Sequence, residues 1–217
     1  LDHTQFLGNS RELIAQEKAG IMKPEVPVVI GTDDLLLKEV FEQQAKRKGS
    51  PLFFAHEYLE VTWQHTEEGL QIFKTHVQEP HPLIPNEVAL DLMGAYQQDN
   101  LRTVLAGLMQ LKDFTISQDN LVEGLKKVAR STGLLGRYQW LSMNPRMLCD
   151  TRHNEAGLKS VIAQLKRESY DTLHVVLGVV NDKLVEDILP MFPKEAKYYF
   201  TQARIPRALP ASELAQR

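Results

Sequence analysis

Six side chains in this sequence are of types that could do chemistry where they stand. Lys18 lies four residues after Ile14 and three before Ile21, on the apolar stripe expected of a helix. An amine there has two options. Its ammonium can snorkel to water on a flexible stem, or burial can keep it neutral. A neutral amine can add carbon dioxide and become a carbamate, an anion able to orient a divalent cation or its waters. His3 stands at an expected strand end before a Gly-containing turn, where an imidazole is either a polar loop residue or a metal ligand. Asn100 closes the run Gly94-Ala95-Tyr96-Gln97-Gln98-Asp99-Asn100 at the start of a helix. It is either part of a capping cluster or an amide that both donates to and accepts from a ligand edge. Arg137 carries a fork suited to phosphate oxygens, and Asp150 is a carboxylate at a strand end, where ligands of open parallel sheets collect. A structural ion pair between them is the plain alternative. His153, followed by Asn154, opens the next helix, where backbone amides favour anions. Capping by Asn154 explains that pair without any ligand.

The elements that must position these groups are legible from periodicity and punctuation. Asn9 and Ser10 can cap a helix that carries Leu13, Ile14 and Ala15 and should stop near Gly20. Pro27 to Ile30 predicts a short buried strand, and residues 34–47 a helix with Leu37, Val40 and Phe41 on one face. Aromatics, Thr and Val between about 52 and 90, broken by Glu67-Glu68-Gly69 and three prolines, predict strands and turns. Leu101, Val104, Leu105, Leu108 and Leu111 keep helical spacing, and Ser117 caps a further helix carrying Leu121, Leu125 and Val128. Gly133 and Gly136 mark the expected domain boundary. Beyond it come a strand over Arg146–Asp150, a helix with Leu158, Val161, Ile162 and Leu165, an apolar strand over Leu173–Val180, a helix with Val185, Ile188 and Leu189, and a strand over Tyr198–Phe200. Such alternation predicts a parallel sheet with crossover helices.

Bulk properties narrow the class. The 217 residues are 43% hydrophobic and 24% charged, ordinary values for a globular protein with a real core. A net charge of -3 leaves no basic excess for phosphate neutralisation, which argues against a nucleic-acid binder. The single Cys149 excludes an internal disulfide and fits a reducing cytosol. No apolar run reaches membrane-spanning length, so neither a membrane nor nucleic acid is an expected partner.

Five segments in order carry a family resemblance: Leu1-Asp2-His3, Glu17-Lys18-Ala19-Gly20-Ile21, the Gly94–Asn100 run, Gly136-Arg137-Tyr138-Gln139 and Asp150-Thr151-Arg152-His153-Asn154. Together they resemble folylpolyglutamate synthase and dihydrofolate synthase, ATP-dependent amide ligases of the Mur-ligase-like family. The resemblance implies an α/β fold. Residues 1–134 would be part of a Mur-ligase-type central ATPase domain, and residues 135–217 a Rossmann-like, parallel-sheet C-terminal ligase domain. It implies that the family's phosphate-binding loop, other magnesium ligands and folate-binding loops lie upstream, so that the chain alone is inactive. By the same resemblance Lys18 is the carbamylated lysine and His3 a magnesium ligand. Asn100, Arg137 and Asp150 contact ATP, and His153 faces the reacting phosphate and carboxylate. The implied cofactors are ATP and Mg²⁺, and the implied substrates a folate or folylpolyglutamate and L-glutamate. A monomeric, cytoplasmic enzyme is expected. Departures occur at Tyr96, where His is common, at Arg152, where a small residue is usual, and at Leu184, where a second acid is usual. Asp182-Lys183, Thr201 and Arg207 match further family segments, with Arg207 either touching substrate or bracing a loop. A dihydrofolate synthase, acting on dihydropteroate alone or with both activities, has the same motifs. A peptidoglycan Mur ligase fits them less well. From another class, a non-catalytic module keeping nucleotide or partner contacts also fits.

Overall fold

The computed structural model describes residues 10–152, 155–181 and 185–217. The chain forms two compact units, residues 1–149 and 150–217.

The first unit opens with helix α1, Arg11–Ala19, capped by the Ser10 hydroxyl, which accepts from the Leu13 N–H at 3.2 Å, and ended at Gly20. Ser10 thus takes the capping role, and Asn9 lies outside the described residues. Strand β1, Val28–Ile30, leads into helix α2, Leu35–Lys48, and then strand β2, Leu52–Phe54. Asp34 caps α2 by accepting from the Leu36 N–H, and Gly49 leaves it in the left-handed region at φ 64°. β1 and β2 pair in parallel, Val28 opposite Leu52 and Ile30 opposite Phe54, so this stretch is a βαβ unit. Ala15, Ala19, Met22, Phe41, Ala45 and Phe54 form its core.

A short helix α3, Ala55–Tyr58, turns the chain into an antiparallel meander: β3, Leu59–Glu67, β4, Leu70–Val77, and β5, Glu87–Leu90. This is the segment for which the sequence predicts strands and turns. Helices α4, Gln97–Leu108, α5, Gln118–Leu125, and α6, Val128–Thr132, follow. Ser117 caps α5 in a reciprocal capping box with Asn120. Leu101 and Leu105 of α4 meet Phe73, Val88 and Leu90 of the meander and Leu121 and Leu125 of α5 in the larger core. Phe73 and Leu105 are essentially fully buried, each contributing about 1.5–3 kcal/mol of transfer free energy.

The unit ends in a hairpin, β6, Gln139–Met143, and β7, Arg146–Cys149. The sequence predicts β7 as the first strand of a parallel sheet. Instead it pairs antiparallel with β6, Met143 opposite Arg146. The reason is the connection: Asn144 and Pro145 alone separate the strands, and a link so short joins only antiparallel neighbours.

The second unit carries helix α7, Glu155–Leu165, strand β8, His174–Leu177, helix α8, Val185–Ile188, a 3₁₀ turn at Leu189–Met191, strand β9, Lys197–Phe200, and helix α9, Ala211–Leu214. β8 and β9 pair in parallel, the expected βαβ arrangement. Val185, Leu209 and Leu214 form its small core. β8 is shorter than the predicted apolar run, and its residues alternate between exposed and half-buried. Only one of its faces is packed. Tyr198 donates its hydroxyl to the Pro193 carbonyl at 2.5 Å. Burial, then the Glu195 charge, raises the Tyr198 pKa. Among the described residues no helix is long and apolar enough to cross a membrane.

Candidate nucleotide and ligase site

Asn100 sits one turn into α4, exposed, on a helix whose other side is buried. Three contacts hold that helix and its amide. Gln97, buried to 2% exposure, accepts from Asn100 Nδ2 through its Oε1 at 2.9 Å. Arg102 Nη2 reaches Asp33 Oδ1 at 2.7 Å in the loop after β1. Thr103 packs against Gly31, where an added Cβ would collide with Thr103 Oγ1 and lie 3.0 Å from its Cγ2. Residues two apart on a helix point about 200° apart. The face that Arg102 ties down is therefore opposite the face on which Asn100 is displayed.

Arg102 lies between two carboxylates. Asp33 Oδ1 also lies 3.5 Å from His56 Nδ1, and Asp99 Oδ1 lies 3.4 Å from Arg102 Nη2. His56, Leu59, Glu60, His76, Gln78 and Arg102 line a cavity of about 290 Å³. The sequence gives no sign of the Asp33–Arg102 pair, because its members are 69 residues apart. The Gln97–Asn100 contact does have a signal, the i, i+3 spacing that brings two amides together on a helix.

Lys18 is exposed in the last turn of α1. It lies between the buried Ile14 and Met22 in helical angle, but its amine is not enclosed, and Ile21 beyond the helix end is 78% exposed. His3 lies outside the described residues, as do His153 and Asn154, and Asp182, Lys183 and Leu184. Among the described residues no three His, Cys, Asp or Glu side chains converge as a metal site. The described residues therefore do not furnish a magnesium cradle, and no chemical step is routed through the ion below.

Arg137 is half-buried in a tight turn between Gly136, φ 72°, and Tyr138, φ 49°. A left-handed tyrosine is costly, and here a side chain only 2% exposed anchors it. The Gly136 N–H donates to Gln139 Oε1 at 2.9 Å, closing the turn. Trp140 packs edge-on against Tyr138 and under Arg146, whose guanidinium carbon is 5.7 Å from the ring centre. The turn fixes the backbone on either side of Arg137.

Asp150 follows β7 directly, as expected of a strand-end carboxylate. Its side chain is 7% exposed, and Oδ1 accepts from the Arg152 N–H at 2.8 Å. Arg152, 10% exposed, folds back over the loop: Nε is 3.9 Å from Asp150 Oδ1, and Nη1 donates to the Gly157 carbonyl at 3.1 Å. The long cation in place of a small residue thus braces the loop against the first turn of α7. Thr201 and Arg207 lie in an exposed stretch.

Asn100 and Arg137 belong to the first unit and Asp150 to the second. Taken singly, Asn100 offers an amide suited to a base edge, Arg137 a guanidinium suited to phosphate and Asp150 a carboxylate suited to hydroxyls.

Residues 136–217 match the Mur ligase, glutamate ligase domain. In sequence and fold the chain is similar to folylpolyglutamate and dihydrofolate synthases. It is 27% identical to the dihydrofolate synthase/folylpolyglutamate synthase of Bacillus subtilis, over 98% of this chain and 49% of that protein. To the protein of the same name from Escherichia coli it is 26% identical, over 100% and 47%. Among solved structures, folylpolyglutamate synthase from Thermotoga maritima superposes with a TM-score of 0.75 at 26% identity, over 94% of this chain and 47% of that one. E. coli FolC in complex with DHPP and ADP superposes at 0.72 and 25%, over 100% and 48%. The chain spans about half the length of the relatives it matches.

Proposed function

We propose that this chain is the adenine- and ribose-binding part of an ATP-dependent ligase that adds L-glutamate to folates. The observation that carries the reading is Asp150. It is a nearly buried carboxylate held by a backbone N–H at the end of β7, inside the stretch that matches a glutamate ligase domain. E. coli FolC and the Thermotoga protein, similar along nearly the whole chain, support it.

In this reading the folate or folyl-glutamate carboxylate attacks the γ-phosphorus of ATP and ADP leaves. The glutamate amine then attacks the acyl phosphate, forming the amide and expelling phosphate. Phosphoryl transfer of this kind depends on positioning and charge neutralisation rather than on covalent help from the protein. Asn100 holds the base, Asp150 accepts from the ribose hydroxyls, and Arg137 neutralises phosphate oxygens. The resemblance also implies His153 near the reacting groups and His3 as a magnesium ligand; Lys18, exposed in this chain, would hold a carbamate that orients the ion only where its amine is enclosed. Magnesium, when bound, would neutralise the phosphate charge. The family match that begins at residue 136 supports domains of residues 1–134 and 135–217, although the β6–β7 hairpin packs with the compact unit that ends at residue 149, and the whole enzyme would be a cytoplasmic monomer. Dihydropteroate is an alternative acceptor, since E. coli and B. subtilis relatives carry both names.

The test is nucleotide titration of the 217-residue chain by calorimetry, followed by assay of ATP-dependent glutamate addition in the longer protein that contains it. ATP binding that weakens at least tenfold in Asn100→Ala is expected. Unchanged binding in that variant removes Asn100 from the site. Binding without glutamate addition in the longer protein favours the non-catalytic module.

A further inference from the structure

We infer that Gln97 is a specificity-positioning residue that makes this site select adenine over guanine. The inference rests on the nucleotide reading of Asn100 given above. An asparagine amide can face a ligand in two ways that differ by a flip, presenting either its oxygen or its nitrogen. Left to itself in water it does both. Here the choice is made by a neighbour: Asn100 Nδ2 donates to Gln97 Oε1 at 2.9 Å, one helical turn back. Gln97 is 2% exposed, so it cannot turn to solvent to release that contact, whereas Asn100 itself is exposed. One hydrogen of Nδ2 is thereby committed, and Oδ1 lies on the other arm of the amide, turned away from Gln97.

The consequence is a matter of matching donors to acceptors. Adenine carries an exocyclic amine at C6, a donor, beside N7, an acceptor. Asn100 Oδ1 accepts from the amine, and the second hydrogen of Nδ2 remains for the neighbouring ring nitrogen, the bidentate pairing that an amide makes with adenine. Guanine has a carbonyl oxygen at C6. Against the held amide this sets acceptor facing acceptor, and accommodating it requires either breaking the contact to Gln97 or turning the exposed Asn100 amide and the buried Gln97 amide over together. A lost bidentate match discriminates by about tenfold to a hundredfold.

The other contacts of α4 make the lock effective. Arg102 on Asp33 and Thr103 against Gly31 hold the helix to the loop after β1, so the amide cannot trade its orientation for a shift of the helix. Gln98 is engaged elsewhere, its Oε1 accepting from the Trp63 N–H at 2.9 Å. Of the two adjacent glutamines, Gln97 alone is the partner of Asn100 among the described contacts.

The experiment compares ATP and GTP affinities of the full chain, its Gln97→Met, Gln97→Glu and Asn100→Ala variants, with ¹⁵N spectra of the Asn100 side-chain amide. Methionine keeps the volume and removes the acceptor, whereas glutamate keeps an acceptor. Gln97→Met is expected to lower the ATP-over-GTP ratio at least tenfold and to speed exchange of the Asn100 amide protons, while Gln97→Glu retains most of both. An unchanged ratio in Gln97→Met, with ATP binding still lost in Asn100→Ala, overturns the inference and leaves the nucleotide reading standing. Unchanged ATP binding in Asn100→Ala overturns both. Should Gln97→Met fail to fold, Gln97→Leu replaces it, and the amide exchange in nucleotide-free protein decides: protons as protected as in the parent chain overturn the inference.

Discussion

The two parallel βαβ units of this chain are built on one plan and buried very differently. In each, a short strand ends in a glycine that a threonine approaches closely: Gly31 after β1 meets Thr103, and Gly178 after β8 meets Thr201. In each, a phenylalanine ends the second strand, Phe54 in β2 and Phe200 in β9. Yet Phe54 is 5% exposed and Phe200 37%. The first unit has α1 and α2 over its strands and a contiguous core from Ala15 to Phe54. The second packs one face, leaving His174, Val176 and Tyr199 exposed on the other. Strand pairing is set by local pattern and connection length, whereas burial is set by what else is present to pack. The two are separate properties, and single substitutions can separate them.

The largest difference should appear between the paired phenylalanines. Phe54→Ala removes a buried ring and is expected to destabilise the first unit by about 3–5 kcal/mol. Phe200→Ala should cost about 1 kcal/mol or less, because the ring already meets water. Urea unfolding followed by tryptophan fluorescence reads the first unit, where Trp63 and Trp140 both lie. Hydrogen exchange on β9 reads the second. Equal losses at the two sites would mean that the burial difference has no energetic weight.

Function gives the next contrast. Asp150→Asn keeps an oxygen to accept from the Arg152 N–H while removing the charge. Loss of a charged hydrogen-bond partner costs about 1.5–3 kcal/mol, so ATP affinity should fall roughly tenfold to a hundredfold with the melting temperature nearly unchanged. A lowered melting temperature with unchanged ATP affinity would make Asp150 a purely structural loop cap.

The glycines separate the units by stiffness. An alanine at Gly31 meets Thr103, whose hydroxyl is itself pinned on the Asp99 carbonyl at 2.8 Å within α4. Turning that threonine away gives up its hydrogen bond or moves the helix, so Gly31→Ala should cost about 1–3 kcal/mol. At Gly178 the nearest atoms are Thr201 Cγ2 and the Thr201 carbonyl oxygen, each 3.0 Å away, so a shift of a few tenths of an ångström in a stretch exposed through Arg207 accommodates the methyl. Gly178→Ala should therefore cost about 1 kcal/mol or less. Thermal unfolding of both variants checks this, and a Thr103→Ala background should recover part of the Gly31 loss.

These contrasts show where sequence reasoning reaches and where it stops. Capping by Ser10 and Ser117, the stop at Gly20 and the meander after residue 52 are local, and local chemistry announces them. Asn100 and Asp150 were legible as amide and carboxylate at element ends for the same reason. The antiparallel partner of β7 was missed, although the two-residue Asn144-Pro145 link carried the signal. The bracing of Asp150 by Arg152 was not legible, since a guanidinium that could reach outward to phosphate turns inward to Gly157 instead. Nor was the exposure of Lys18, because helical angle alone does not say what covers a stripe.

The smallest expected effect is also the most pointed about the open face of the second unit. Val176 stands in β8, 71% exposed, between His174 and Leu177. Threonine has the same branched shape and a similar preference for strands, so Val176→Thr changes only the apolar character of one methyl position. On a face in contact with water that change is worth within about 0.5 kcal/mol. Parallel strands are ordinarily covered on both faces, and a covered valine would resist the hydroxyl, which would then need a hydrogen-bond partner in an apolar setting. The measurement is the stability of β8 by hydrogen exchange in the 217-residue chain and in the longer protein. A near-zero effect in the first and a loss above about 1.5 kcal/mol in the second would show that other residues of the longer protein cover this face. A large loss already in the 217-residue chain would mean that the face is covered in solution, and that the difference between the two units is smaller than their exposures indicate.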